Sequence, residues 1–563
     1  MRYLLLVLAL SVSAPAADKW ATVWAGSVHG PYPAGNAVAQ PDLSMVLPSK
    51  EARNQTFRLV VRPDLWGSRM RFRFSNVFGS KPLVLDNVFA GEHEGGGQVI
   101  NGTNRPVLFG GKQVVEIAPG SMLWSDPVAV AVPKQPAGRK LAVSFHVAGT
   151  SGPMTWHAKS LQTSYLSAPN SGTHGAEEDA ENFPFTTTSW YFLDAVDAML
   201  PDTTQVVVAF GDSITDGTAS TINGDDRWPD FFSRRMHAKF GSRFAVVNAG
   251  IGGNQVVGPA KYDTSKPPGG GPSALDRLDR DVLELSGVTS VVWLEAINDI
   301  GAAGATAESV IQGYRDGVAR LHTKKIRVVG ATVTSALGAA SGAGKPEVDV
   351  ARKTINQFIR TGGLFDGVAD FDGATLDPAS GTLKAEFQPD SSTGARSDKL
   401  HPNRAGYKAM GYSIDLGLFE KSGKLGAMAN TPELERGRIL GIGGLFFKSA
   451  DSPRLGQWYE KNLGIKAGPY GTSFPWRDHD DPSMERVTAW SIFKQESKYF
   501  DPSTSQFMVN YIVDDLDAIL ARLTANGTKI DPKREDHEYG RFAWVFDADG
   551  NKIELWEPKT AKP

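Results

Sequence analysis

Apolar and polar residues alternate through much of residues 18–200, for example in "RMRFRFSNVFG" and "KLAVSFHV". A period of two is typical of strands that bury one face. Turn signals such as "FGGK" and "APGS" separate these runs, and no long helical period occurs among them. The pattern predicts an all-β N-terminal domain, most simply a β-sandwich.

The pattern changes in residues 203–422, where strand-like runs alternate with helical periods. The apolar runs are "QVVVAF", "RFAVVNAG", "TSVVWLEAI" and "KIRVVGATV". Between them lie two apolar stripes with helical spacing, formed by Leu275, Leu278, Val282 and Leu285, and by Val310, Ile311, Tyr314, Val318 and Leu321. A series of βαβ units predicts a three-layer α/β domain, with a parallel sheet between two layers of helices.

A polar linker at residues 423–436 separates this domain from a third one at residues 437–563. The third domain contains the same order twice: an apolar strand followed by a helical segment. Its second half ends in "RFAWVFDADGNKIELWEP", where Asp549-Gly550 suits a tight hairpin turn. We expect an α+β domain with an internal repeat.

The N-terminus has the pattern of a secretory signal peptide over residues 1–17. Arg2 gives the positive start, Leu4 to Val12 the apolar core, and small residues allow cleavage near Ala16-Ala17. The alternative is a membrane anchor, but spanning a bilayer takes about 20 apolar residues and this run is shorter. The sequence therefore predicts a secreted or periplasmic protein without a membrane span.

Composition removes several functional classes. The chain has no cysteine, which rules out disulfides, a thiol nucleophile and thiolate metal sites. A net charge of −3 without a basic run disfavours a nucleic-acid partner. No feature of the sequence indicates an oligomeric state.

Polar groups follow the predicted strands of the α/β domain, where parallel sheets bind their ligands. Ser213 follows the first strand, and a segment before the last helix, "SDKLHPN", holds Asp398 and His401. A serine hydroxyl is a weak nucleophile that needs a base, and an acid must orient that base. These three residues supply the set of groups that acyl transfer requires.

Acyl transfer also needs donors for the oxyanion of its tetrahedral intermediate. The backbone N–H groups of Ser213 and Gly253 and the side-chain amide of Asn298 can provide three. A glycine at position 253 lets the backbone approach the substrate closely.

Gly211-Asp212-Ser213, the glycine of "NAGIGG", Asn298-Asp299 and Asp398-x-x-His401 together resemble the ordered blocks of the SGNH (GDSL-type) esterase/acetylesterase family. The resemblance covers residues 203–420. It implies that Ser213 is the nucleophile, that Asp398 and His401 complete the triad, and that no cofactor is needed. One departure is Ala296, where the family often has glycine; the added methyl narrows the site without removing the Asn298 amide.

The third domain resembles the glyoxalase/bleomycin-resistance/dioxygenase family (vicinal oxygen chelate fold, built from βαβββ modules). That family places metal ligands on the first and last strands of each module. Here Gly443 and Gly444 offer none, Asn510 is a poor ligand, and only Glu554 fits. Two histidines, at positions 479 and 537, lie in predicted loops. We therefore expect no metal and a non-catalytic binding or docking module.

The sequence predicts a secreted serine esterase that removes short acyl groups, most simply acetyl, from a small-molecule or polysaccharide ester. The N-terminal domain resembles the accessory sandwich of some secreted SGNH esterases, and either substrate positioning or a structural cap would explain it. Two alternatives remain open. One is a carbohydrate-binding pseudo-esterase, and the other is a bifunctional protein with a metal-dependent lyase or dioxygenase at its C-terminus.

Overall fold

The computed structural model describes residues 18–388, 397–420, 439–468, 471–477, 485–525, 527–547 and 549–559. The expected signal peptide (residues 1–17) and linker (residues 423–436) lie outside the described residues. The chain forms two compact units, residues 1–422 and 423–563. The N-terminal and central regions thus belong to one unit.

The N-terminal region is rich in β-structure, as expected, and consists of antiparallel sheets. One five-stranded sheet contains Asp18–Ala25, Arg69–Ser75, Met122–Trp124, Val128–Ala129 and Leu193–Pro201. An eight-stranded sheet contains Arg53–Val61, Leu83–Gly95, Gln98–Val99, Arg105–Pro106, Val115–Ile117, Leu141–Thr150, Ser164–Leu166 and Phe185–Thr187. Trp156–His157 and Trp190–Tyr191 pair separately, and Pro48–Lys50 forms a 3₁₀ turn.

The two faces of the strand Arg69–Ser75 have different partners. Met70, Phe72 and Phe74 are fully buried in the apolar core of the region. On the opposite face Arg73 is also buried, and its guanidinium donates to Asp194 and to the backbone oxygen of Arg280 in the central region. The alternation in the sequence therefore separates an apolar core from a polar interface.

The central region contains a five-stranded parallel sheet. We label its strands β1 (Gln205–Gly211), β2 (Phe244–Gly250), β3 (Val288–Leu294), β4 (Arg327–Ala331) and β5 (Gly367–Ala369). Their spatial order is β2-β1-β3-β4-β5. Because β1 lies between β2 and β3, the connection that follows β1 and the connection that follows β3 run to opposite sides of the sheet. The crevice between them, at the carboxyl ends of the strands, is where such sheets bind ligands.

Helices pack on both faces of the central sheet. They are Ser213–Asp216, Trp228–Phe240, Ala274–Leu278, Ile297–Gly301, Ala307–Thr323, Pro346–Thr361, Phe371–Thr375 and Arg404–Ser413, with a π-helical turn at Asp279–Leu283 and 3₁₀ turns at Gly241–Arg243, Gly342–Gly344, Ala385–Phe387 and Leu416–Phe419. Val206 and Val208 enter one apolar core, whereas Val207 and Ala209 enter the other. Both predicted helical stripes are confirmed: their residues are buried in the core, except Leu275 and Ile311, which are partly buried against it.

The N-terminal region covers the free edge of the central sheet along β2. Asp64 accepts hydrogen bonds from the backbone N–H of Val246 (2.6 Å), from the hydroxyl of Ser233 (2.5 Å) and from His237 (3.1 Å). An open strand edge presents unpaired backbone groups. One buried carboxylate therefore satisfies an edge N–H and joins the two regions.

The C-terminal unit is a seven-stranded mixed sheet. Its strands are Ile439–Ser449, Thr472–Arg477, Glu485–Lys494, Phe507–Val513, Ile530–His537, Gly540–Phe546 and Lys552–Pro558; its helices are Ser452–Leu463 and Leu516–Ala525, with a 3₁₀ turn at Lys498–Phe500. The predicted strand-helix repeat and the final hairpin are both confirmed. The loop prediction for His537 is wrong, because the pairing of His537 with Gly540 extends the strand to this residue.

Among the described residues, no helix combines the length and apolar character that crossing a membrane would require.

Candidate active site

Strand β1 ends by presenting Ser213 in a sharp turn. Asp212 caps the short helix Ser213–Asp216, and its carboxylate accepts a hydrogen bond from the backbone N–H of Ile214 (2.9 Å). The helix ends at Gly217, whose φ of 102° lies in the left-handed region that favours glycine. Ser213 is only 6 % exposed. The aspartate before the serine therefore stabilises the turn.

A chain of two hydrogen bonds connects Ser213 to the segment before the helix Arg404–Ser413. The Oγ atom of Ser213 lies 2.8 Å from Nε2 of His401, and Nδ1 of His401 lies 2.5 Å from Oδ2 of Asp398. Oδ1 of Asp398 accepts from the backbone N–H groups of Leu400 and His401, each at 2.9 Å. One carboxylate thus orients the imidazole and holds the loop that carries it.

The surroundings of this pair shift both pKa values. Burial opposes ionisation of Asp398, but the hydrogen bond and charge interaction with His401 outweigh it and lower the Asp398 pKa to about 2. Burial lowers the pKa of His401, against the opposite effect of Asp398, and the nearby Lys159 lowers it further. At neutral pH the imidazole is therefore neutral and able to accept a proton.

Gly253 and Asn298 border the same space as the serine. Gly253 has a φ of 84°, which a side chain would strain. Asn298 is the second residue of the helix Ile297–Gly301 after β3, and its Nδ2 donates one hydrogen bond to the backbone oxygen of Asn254 (2.9 Å). The second N–H of that amide has no protein acceptor within the described part of the chain. The amide is thus held in place with one donor still available.

The five predicted residues meet at one cavity or directly beside it. A cavity of about 560 Å³ is lined by Gly35, Asn36, Ala37, Val38, Lys159, Ser213, Thr218, Gly253, Asn298, Leu400 and His401. Asp398 stands behind His401, outside the lining. Ala296, the departure noted in the sequence, has a φ of 122° and is fully buried, so this alanine holds a conformation that favours glycine.

Family models match the two regions of the chain for which the sequence predicted a resemblance. Residues 209–409 match the GDSL-like Lipase/Acylhydrolase family, and residues 449–555 match the Glyoxalase/Bleomycin resistance protein/Dioxygenase superfamily. Residues 209–409 form a GDSL-like acylhydrolase domain. The chain is therefore a carboxylic ester hydrolase with a glyoxalase-like domain at its C-terminus. A comparison with curated proteins gave no significant match.

Solved structures similar to the acylhydrolase domain include three bacterial proteins. A putative lipolytic protein of the G-D-S-L family from Desulfitobacterium hafniense is 18 % identical (TM-score 0.27; 37 % of this chain and 97 % of that one). A carbohydrate acetylesterase family member from Sinorhizobium meliloti is 16 % identical, with a TM-score of 0.28 over 37 % of this chain and 94 % of that one. The aryl esterase of M. smegmatis is 14 % identical, with a TM-score of 0.27 over 37 % of this chain and 95 % of that one. TM-scores this low carry no information about substrate.

Sequence reasoning missed Arg277, a buried arginine beneath the site of the acylhydrolase domain. Its guanidinium donates to the backbone oxygens of Gly211 (2.9 Å) and Ala249 (2.8 Å) and to the side chain of Asn254 (2.7 Å). It also pairs with Asp281 at 3.0 Å. The signal in the sequence was this Arg–Asp pair at i,i+4 on the helix that carries the Leu275–Leu285 stripe.

The sequence also gave no sign that the N-terminal region forms part of the cavity wall. Asn36 donates to the backbone oxygen of Gly252 (3.3 Å), and His157 lies 3.2 Å from the buried carboxylate of Asp216. The other oxygen of Asp216 accepts from the backbone N–H of Gly252 (2.9 Å). Residues from the N-terminal region therefore fix the loop that carries Gly253.

Several buried aromatic residues and one histidine have structural roles. Trp24 and Trp66 are largely buried, so they are unavailable for stacking on a sugar. Trp228 is fully buried against Phe371. His322 pairs with Asp366 at 2.9 Å, on a helix of the acylhydrolase domain.

In the C-terminal domain, hydrogen bonds surround the carboxylate of Glu554. Oε1 accepts from the side-chain amide of Asn510 (2.7 Å), and Oε2 accepts from the indole of Trp544 (2.8 Å) and the hydroxyl of Tyr499. Gly443 packs so closely that a methyl group there would collide with the Asn510 amide. Of the expected ligand positions, two hold glycine and one holds an amide, so this set does not fit a divalent metal ion. His479 lies outside the described residues.

Arg277→Met should destabilise the acylhydrolase domain and reduce its activity together. The change removes one of the two arginines that pair with the buried Asp281 and takes a charged donor from the backbone oxygens of Gly211 and Ala249, which costs about 1.5–3 kcal/mol. Denaturant unfolding and ester turnover would measure the two effects. Arg234→Met, at an exposed arginine of the helix Trp228–Phe240, serves as the control and should cost less than about 0.5 kcal/mol. Equal effects of the two variants would contradict the role given to Arg277.

Glu554→Gln should leave ester hydrolysis within about twofold of wild type. Glu554 belongs to the glyoxalase-like domain, where Asn510, Trp544 and Tyr499 donate hydrogen bonds to its carboxylate. Elemental analysis of the purified protein should find less than one equivalent of divalent metal, and EDTA should leave turnover unchanged. A stoichiometric metal ion that is lost in Glu554→Gln would disprove this interpretation and support the bifunctional alternative.

Proposed function

We propose that this protein is a secreted serine esterase that hydrolyses short-chain acyl esters, most simply acetyl esters, of carbohydrates or similar polyols. The observation that carries the proposal is the unbroken chain of hydrogen bonds from Ser213 through His401 to Asp398. The hydrogen-bonded triad also argues against a pseudo-esterase that has lost its catalytic groups.

In the proposed acylation step, Nε2 of His401 takes the proton of the Ser213 hydroxyl while Oγ attacks the ester carbonyl carbon. The ionised Asp398 stabilises the imidazolium that forms and keeps its Nδ1 proton in place. Collapse of the tetrahedral intermediate breaks the bond to the alcohol oxygen, and His401 returns the proton to that oxygen. The products of this step are the free alcohol and acyl-Ser213.

In the deacylation step a water molecule replaces the alcohol. His401 removes a proton from the water, which attacks the acyl carbon, and then returns the proton to Ser213 Oγ. In both steps the oxyanion would accept hydrogen bonds from the backbone N–H groups of Ser213 and Gly253 and from the free N–H of Asn298. The anchoring of Asn298 by the oxygen of Asn254 supports this role, since a fixed donor needs no reorganisation during the reaction.

The composition of the cavity wall supports a short acyl group and a polar alcohol. Asn36, Thr218 and Asn298 supply hydrogen-bonding groups, whereas the apolar side chains in the lining are limited to Ala37, Val38 and Leu400. A long acyl chain would need an extended apolar wall to bury its methylene groups. In this proposal the N-terminal β-sandwich positions the substrate as part of the site, and the signal-like N-terminus supports export.

Ser213→Ala should lower kcat for 4-nitrophenyl acetate by about 10⁶-fold, the scale seen when a nucleophile is removed, and should leave the protein folded.

Asn298→Ala should lower kcat by about 10²–10³ with little change in KM, because the lost donor acts on the transition state. Steady-state kinetics with matched circular dichroism spectra would test both variants. Near-normal turnover by folded Ser213→Ala would refute the mechanism, and an effect of Asn298→Ala on KM alone would reassign Asn298 to substrate binding.

The pH–rate profile should reflect the lowered pKa of His401. The neutral imidazole is the active form, so kcat/KM for a neutral ester should fall at acid pH as His401 becomes protonated. The midpoint of the acid limb should therefore lie below 6.5. A midpoint at or above pH 7 would show that Asp398 dominates over burial and would contradict the expected environment of His401.

A further inference from the structure

Lys159 places a buried ammonium group in the wall of the reaction cavity. The residue follows the short strand Trp156–His157 of the N-terminal region and lines the cavity together with Ser213 and His401. It is only 4 % exposed. Neither the triad nor the oxyanion donors use this group.

The protein satisfies only part of this ammonium group. Nζ of Lys159 donates one hydrogen bond to the hydroxyl of Thr218, which lines the same cavity. Within the described part of the chain, no carboxylate lies within 4.0 Å of Nζ. A lysine ammonium has three donors, so two of them have no protein acceptor among the residues that the structure describes.

The carboxylate with the largest electrostatic effect on Lys159 already has other hydrogen-bonding partners. Asp216 interacts electrostatically with Lys159, but its two oxygens are engaged by His157 (3.2 Å) and by the backbone N–H of Gly252 (2.9 Å). Burial lowers the pKa of Lys159, whereas Asp216 and Asp212 raise it. Burying a lysine ammonium without an ion-pair partner costs folding free energy. An uncharged side chain could pack against Thr218 equally well, so packing does not explain why a lysine stands here.

We propose that Lys159 binds a carboxylate of the substrate, so that the preferred ester carries an anionic group close to its scissile bond, as an acylated uronic acid does. This inference rests on the proposed function and narrows its substrate class. Two free N–H donors suit a singly charged carboxylate, whereas a phosphate dianion is usually held by several donors or a guanidinium.

The size of the cavity limits where the carboxylate can lie. Lys159, Ser213 and His401 share about 560 Å³, the volume of a small ligand. The charge therefore lies within the same small molecule or sugar unit as the ester. It can belong to the alcohol or to the acyl group, and two pairs of substrates distinguish these sources.

Binding to the inactive Ser213→Ala protein tests the inference without any turnover. Calorimetric titration would compare 4-hydroxybenzoate with 4-hydroxybenzamide for the alcohol side, and succinate monoamide with succinamide for the acyl side. We expect the carboxylate of at least one pair to bind about 10- to 100-fold more tightly, as for a hydrogen bond to a charged group. Adding Lys159→Met should remove that preference, whereas adding Lys112→Met, at an exposed lysine of the same region, should keep it.

Turnover by the enzyme with Ser213 intact provides the second measurement. The ratio of kcat/KM for 4-acetoxybenzoate over 4-acetoxybenzamide, or for methyl hydrogen succinate over methyl succinamate, should fall about 10- to 100-fold in Lys159→Met and stay at the wild-type value in Lys112→Met. Because each ratio is compared between enzymes, differences in intrinsic ester reactivity cancel.

Each outcome decides the inference. Equal binding of carboxylate and amide in Ser213→Ala for both pairs, or a preference that survives Lys159→Met, overturns it. If Lys159→Met does not fold, the Ser213→Ala titrations decide alone: tighter carboxylate binding supports the inference, and its absence overturns it. Failure of the wild-type enzyme to hydrolyse any ester would instead refute the proposed function. The titrations of Ser213→Ala would still show whether Lys159 binds a carboxylate.

Discussion

The rest of the site depends on the hydrogen bonds that the guanidinium of Arg277 donates. Three segments converge at the carboxyl ends of β1 and β2, and each brings a buried hydrogen-bond acceptor. Arg277 supplies donors to Gly211, Ala249 and Asn254 at once. Gly211 lies two residues before the serine, and the backbone oxygen of Asn254 holds the amide of Asn298. One side chain thus fixes the distance between the nucleophile and an oxyanion donor.

The same cation counterbalances an unusual concentration of buried acids. Burial raises the pKa of Asp212 to about 7, of Glu295 to about 8 and of Asp299 to about 6, and the charge of Arg277 opposes the first two shifts. Burial thus favours the neutral form of these three carboxyl groups, and each accepts hydrogen bonds from groups of the scaffold. Asp398 differs because its bonds to His401 and to the backbone keep it ionised. Environment therefore separates the acid that serves the histidine from the acids that hold the turn.

The sequence was sufficient where short-range patterns determine the structure. The βαβ alternation predicted the parallel sheet, and three blocks at strand ends with a fourth before the last helix predicted which residues would meet. It was insufficient where contacts span long distances along the chain. Arg277 looks like one more charged residue beside an apolar stripe, and its partners lie up to 66 positions away. Lys159 precedes Ser213 by 54 positions and belongs to another region, so only the packing of the N-terminal strands on β2 brings it to the cavity. His537 was misjudged because strand pairing extends to the residue beside its hairpin turn.

The cavity wall contributed by Asn36 and Lys159 has an evolutionary consequence. Modules that function alone can be exchanged between genes, because a crossover between them leaves each site intact. Here a crossover near residue 200 would separate Lys159 from Ser213 and would expose the edge of β2 that Asp64 covers. The first two regions must therefore be inherited together, and substitutions in one must be compensated in the other. The C-terminal unit is compact in its own right.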